Sequence, residues 1–133
     1  MYHALFNVGK IMAKLDLVLI LFSVAVIGIG QIIFKFAARE MKIDFGQSTI
    51  LIVKTNLFPL GLVLLTVTLY CISTLAWVYA LRTVPLSVAY MFNSLAFVLV
   101  PLAGFLMFGE QMPRYFILGL VMIIGGIYFI SRA

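Results

Sequence analysis

Charge is what this sequence has least of. Nine Lys or Arg and four Asp or Glu make up 10% of 133 residues, where a soluble domain carries roughly a quarter. So thin a set cannot cover a water-exposed surface, which excludes a soluble enzyme or binding module and leaves lipid as the solvent. Cysteine is almost missing as well. Cys71 alone cannot build a disulfide or a thiolate metal site within one chain. The single histidine, His3, stands near the N-terminus, and the four acids (Asp16, Glu40, Asp44, Glu110) cannot be paired inside any apolar stretch. No catalytic or metal-ligating constellation can therefore be assembled, and the expectation is a protein that is not an enzyme, with no cofactor and no metal.

What is there is aliphatic and aromatic. Hydrophobic residues make up 65% of the chain and the mean hydropathy is +1.26. Residues 17–34, 55–81, 83–109 and 115–131 contain no charged side chain. A spanning helix needs about 20 mostly apolar residues, with roughly 17–25 usual. The runs therefore predict an all-α membrane protein: one four-helix transmembrane domain with helices at about 15–38, 57–81, 86–108 and 114–131. Pro59 is tolerated in a first helical turn. Arg82-Thr83-Val84-Pro85 reads as a tight turn, because the residue before proline is pushed out of the helical region. Pro101 is expected to bend the third helix, and 39–56 is the sizeable loop. Residues 1–14 are too mixed for a cleavable signal peptide. They read as an interfacial segment carrying Tyr2, Leu5, Phe6, Ile11 and Met12, or as a disordered tail.

The net charge of +5 does not imply nucleic acid, because the bases sit at run ends, where they meet anionic head groups. With four crossings, one side of the membrane holds Lys10, Lys14, Arg82 and Arg132, and the other holds Lys35, Arg39, Lys42, Lys54 and Arg114. Four bases against five give no bias by which the positive-inside rule could fix orientation. Either the chain inserts both ways and pairs with an inverted copy, or a partner sets its direction, or Lys35 belongs to the membrane and the count decides nothing.

Polar groups within the runs are costly and mark the places where chemistry would be. Ile27, Gln31 and Lys35 recur at i+4 on the first helix. Tyr70, Ser73, Thr74 and Trp77 share a face of the second, and Tyr90, Asn93, Ser94, Phe97 and Pro101 stripe the third. A cavity so lined would suit a substrate with a hydrogen-bonding head and an apolar remainder. The plainer readings stand beside this one. Ser73 and Thr74 would bond their own backbone, Asn93 and Gln31 could be interhelical glue, and Lys35 could snorkel to the interface. On the fourth helix, Gly119 and Gly126 are seven apart on one face. They offer either an oligomerisation stripe or close packing inside the bundle.

The stretch VPLSVAYMFNSLAFVLVPLAGFLMFGEQMPRYFILGLVMIIGGI resembles the second half of small multidrug resistance transporters, four-helix members of the drug/metabolite transporter superfamily. The resemblance rests on the Pro85 turn, the triplet ending at Tyr90, Ser94, the Phe108-Gly109-Glu110 loop, and Gly119 and Gly126. The first helix also aligns around IGIGQIIFKFA, and the likeness runs over residues 17–131. The drug-exporting members are similar to one another in a membrane-embedded glutamate. At the matching position this chain has Ile27, so cation export by that mechanism lacks its essential group. The chain also resembles the aminoarabinose-lipid flippase subunits of the same superfamily. Those share Gly30-Gln31 followed by Lys35, the turn Val84-Pro85 with Ala89-Tyr90, Glu110 before Pro113, and Gly125-Gly126-Ile127. That resemblance implies a multi-pass protein of the bacterial inner membrane, working as a homodimer (antiparallel, in the dual-insertion case) or as a heterodimer with a related four-helix subunit. It would move a polyprenyl-phosphate-linked sugar. Gln31, Lys35, Tyr90, Asn93 and Glu110 become head-group candidates, with Lys35 or Arg114 to pair a lipid phosphate. Tyr70, Trp77 and Ser94 complete the expected substrate-binding set. A small-solute or organic-cation exporter and a non-transporting subunit of a glycosyltransferase system are the alternative readings.

Overall fold

The computed structural model describes residues 14–44, 46 and 48–132, so the expected N-terminal segment, apart from Lys14, lies outside the described residues. The described residues are helical nearly throughout: α1 (Lys14–Glu40), α2 (Thr49–Thr55), α3 (Leu57–Ala80), α4 (Leu86–Asn93), α5 (Ala96–Phe108) and α6 (Phe116–Arg132). Three stretches, α1, α3 and the α4–α5 pair, are long and apolar enough to cross a membrane, and α6 is a shorter apolar helix. Aliphatic side chains cover nearly the whole circumference of each, as expected where lipid is the solvent.

α1 is the helix around which the others gather. Its 27 residues contain no proline. Asp16 in the first turn and Arg39 in the last match the partial charges of the helix ends. It packs along α3 over much of its length and against α5 and α4 by shorter contacts. Ile20 and Val24 of α1 meet Ala80, Val84 and Ala89 in the buried core, with Trp77, Leu81 and Phe92 around them.

Two close approaches fix the α1–α3 seam. The Ser23 hydroxyl donates to the Ser73 carbonyl at 3.0 Å, and the Ser73 hydroxyl returns a longer bond of 3.4 Å to the Ser23 carbonyl. Both serines are buried. Ser73 thus bridges two helices instead of bonding its own helix, whereas Thr74 does bond its own helix, at the Tyr70 carbonyl. Two turns along, Gly30 lets the Tyr70 ring lie on the α1 backbone. A β-carbon at Gly30 would stand 2.7 Å from the phenol oxygen and overlap the ring.

The structure departs from the sequence expectations in two places. The 39–56 loop contains a helix, α2, which starts after Ser48 in an extended conformation (φ −65°, ψ 145°). Seven residues cannot hold a helix alone. Buried Asn56 secures this one, with its amide nitrogen donating to the Lys42 and Ile52 carbonyls and its oxygen accepting from the Lys42 N–H. The third crossing is also interrupted earlier than Pro101. It breaks at Ser94–Leu95, where Leu95, Phe97 and Val98 donate to carbonyls three residues back. The Pro101 ring crowds the carbonyl four residues before it, Phe97, so the ladder tightens in the turns ahead of the proline.

α6 stands apart. Phe116 meets the Phe105 ring edge-on, with centroids 4.9 Å apart, and Ile124 and Ile127 face Val88, Phe92 and Val98 across an apolar groove. Among the described residues, nothing lies within 4 Å of where a β-carbon of Gly119 or Gly126 would be, so no close packing within the described chain uses them.

Gly30→Ala should destabilise the chain in detergent by about 1–3 kcal/mol, the usual cost of overpacking. Adding Tyr70→Leu should recover part of the loss, and additive losses would refute the overlap. Asn56→Ala should cost about 1–3 kcal/mol by stranding the Lys42 N–H and carbonyl, read as a lower melting temperature by circular dichroism.

Candidate functional site

Two adjoining cavities lie along one face of α1. The first, about 490 Å³, is lined by Gln31, Phe34 and Lys35 of α1, Val100, Pro101, Gly104 and Phe108 of α5, and Glu110 beyond it. Lys35 and Glu110 form an ion pair there, Nζ to Oε1, at 2.6 Å. Both side chains are about half exposed (49% and 41%) near the end of α1, where charged side chains reach the head-group layer, and exposed pairs stabilise by roughly 0.2–1 kcal/mol.

The chain end of α5 explains how Glu110 reaches this place. Gly109 adopts a left-handed conformation (φ 63°), which a residue with a β-carbon adopts only with strain. Its N–H and that of Glu110 both turn back to the Gly104 carbonyl. The Glu110 side chain thereby doubles over α5, and Gly104 leaves room for it: a β-carbon there would stand 2.7 Å from Oε2. Arg39, one turn beyond Lys35, lies over the Phe108 ring at 5.6 Å.

The second cavity, about 330 Å³, is lined by Ile27, by Tyr70, Ser73, Thr74 and Trp77 of α3, and by Tyr90 and Asn93 of α4. Trp77 and Tyr90 meet edge to face, with centroids 5.9 Å apart. Asn93 Oδ1 is buried with no hydrogen-bond partner among the described residues, and an acceptor left so costs on the order of 1–3 kcal/mol. Between the cavities runs a bar. The Gln31 amide donates to the Tyr70 phenol oxygen at 3.2 Å, and the phenol donates to the Ile27 carbonyl at 3.1 Å. Phe34 meets the Tyr70 ring edge-on. Because Ile27 and Lys35 are eight residues apart, the face between them extends about 12 Å along the helix axis.

The structure therefore brings Gln31, Lys35 and Glu110 together, and Tyr70, Trp77, Tyr90 and Asn93 together beside them. It does not bring in Ser94, which bonds the Met91 carbonyl and lines the apolar groove below α6. Arg114 lies over the Tyr115 ring at 5.7 Å and lines neither cavity. Among the described residues, no three His, Cys, Asp or Glu side chains gather to hold a metal. Gly104 and Arg39 went unmarked in the sequence. So did buried Asp16, which accepts a 2.9 Å bond from the Thr83 hydroxyl and ties the start of α1 to the α3–α4 turn. Its signal was an acid at the very start of an apolar run.

Chemically, the first cavity presents a cation and an anion at its mouth. The second presents hydroxyl, amide and aromatic groups without charge. Such a face suits an amphiphile whose head group carries charge and hydrogen-bonding groups.

A probable 4-amino-4-deoxy-L-arabinose-phosphoundecaprenol flippase subunit ArnE from Pseudomonas fluorescens is 30% identical over 118 residues, covering 89% of this chain and 98% of that protein. The like-named protein of Pectobacterium atrosepticum is 40% identical over 68 residues, 51% of this chain and 60% of its own. No solved structure matches the chain. The model of the EamA-like transporter family matches residues 4–132. The chain is a multi-pass membrane protein and belongs to the EamA-like transporter family.

Proposed function

We propose that this protein is a flippase subunit of the bacterial inner membrane that moves a polyprenyl-phosphate-linked sugar from one leaflet to the other. The observation that carries the reading is Lys35 at the mouth of a cavity that adjoins a chamber of uncharged hydrogen-bonding groups. The names of the two relatives point the same way. A lipid phosphate would meet the Lys35 ammonium first, with its tail remaining in the bilayer. Sugar hydroxyls would then find the Gln31–Tyr70 bar and, beyond it, the unpartnered Asn93 oxygen and the edges of Trp77 and Tyr90. Each polar contact along this face lowers the cost of carrying the head group through hydrocarbon.

One chain of this size cannot both enclose such a head group and alternate its access, so the working unit is two chains. The open face of α6, with Gly119 and Gly126, offers a surface for a second four-helix subunit, whether a copy or a relative. Near-equal numbers of bases on the two sides are compatible with opposite insertion of the two, which would make the inward and outward states equivalent.

In proteoliposomes, Lys35→Met should slow translocation of a fluorescent polyprenyl-phosphoryl sugar by roughly tenfold or more, the loss expected on removing a charge-assisted contact. Translocation at the wild-type rate would end this reading. Gly126→Leu should weaken crosslinking between subunits while leaving helicity unchanged. A wild type that sediments as a monomer would remove the two-chain proposal.

A further inference from the structure

Glu110 has a seat that the fold makes for it. The left-handed Gly109 and the paired N–H bonds to the Gly104 carbonyl turn it back over α5, and Gly104 gives up a β-carbon's space to its carboxylate. From that seat it holds the Lys35 ammonium. We propose that Glu110 is an exchangeable stand-in for substrate: a lipid-borne phosphate oxyanion displaces its carboxylate from Lys35, and this exchange admits the head group. The inference rests on the reading of Lys35 as a phosphate contact.

Several features fit exchange better than a fixed structural tie. Carboxylate and phosphate oxygens are interchangeable acceptors for an ammonium group, at similar distances. The pair is half exposed, so little binding energy is lost on parting it, whereas a buried pair would resist separation strongly. It lies on the wall of a 490 Å³ cavity, which leaves room for a phosphate beside it. Glu110 follows the last turn of α5 on a short loop, and its carboxylate is the mobile end of a flexible side chain. Arg39, one turn further along α1 and over Phe108 of the same wall, is the next cation in line. Exchange also selects. A neutral head group has no charge to offer Lys35 in place of the carboxylate, so it cannot part the pair without loss.

The test uses the purified full chain in dodecyl maltoside micelles, titrated calorimetrically with dodecyl phosphate. Freeing Lys35 by Glu110→Gln should tighten binding by about 1.4- to fivefold, the range set by an exposed ion pair. Gly104→Ala, whose methyl group would push the carboxylate off its seat, should tighten it in the same direction and serves if the first variant fails to fold. Lys35→Met should weaken binding and abolish the gain from Glu110→Gln in the double variant. Inorganic phosphate, titrated alone, should bind more weakly than dodecyl phosphate, and equal binding would overturn the lipid assignment. If Lys35→Met binds as the wild type does, the phosphate role of Lys35 fails, and exchange with it. If Lys35→Met binds weakly but neither Glu110→Gln nor Gly104→Ala binds more tightly than the wild type, exchange alone is overturned.

Discussion

In hydrocarbon, a polar side chain without a partner finds none in its surroundings, and that constraint shapes the seam between α1 and α3. Ser23 and Ser73 satisfy each other across it, and Tyr70 spends its phenol on the Ile27 carbonyl and the Gln31 amide. These bonds require the two backbones to come close, and Gly30 is what permits the approach beside Tyr70. Once the seam is set, the polar face of α1 lies beside α4 and α5, and both cavities form along it. The two cavities are thus a by-product of how the seam meets its hydrogen-bonding needs.

Along the same face the polarity is graded. The interfacial end has full charges, Lys35, Glu110 and Arg39, which can reach water or head groups. The deeper end has only neutral groups, with Asn93 as its one buried orphan acceptor among the described residues. Charge where the bilayer is wet and neutral dipoles where it is dry is the arrangement that costs least for polar groups held in lipid.

The helices and most of the lining residues were legible in the sequence. Charge-free runs locate the spans, and i+4 spacing puts Gln31 and Lys35 on one face. What was hidden depends on geometry that spacing does not carry. Ser73 could bond its own helix or another, and only the crossing at Ser23 decides between them. Lys35 and Glu110 lie 75 residues apart, and their pairing depends on the left-handed turn at Gly109. The third run reads as one helix because its interruption at Ser94 needs no glycine or proline at the break itself. Arg114, beyond Pro113, lies over Tyr115 and lines neither cavity, a placement that its charge does not foretell.

The length of α1 has a consequence for the membrane itself. Its 27 residues span about 40 Å at 1.5 Å per residue, against a hydrocarbon core of roughly 30 Å. A helix with that much to spare tilts, or carries its ends out into the head-group layers. Lys14 at one end and Arg39 and Glu40 at the other then stand where water and lipid head groups compete for them, and not in oil.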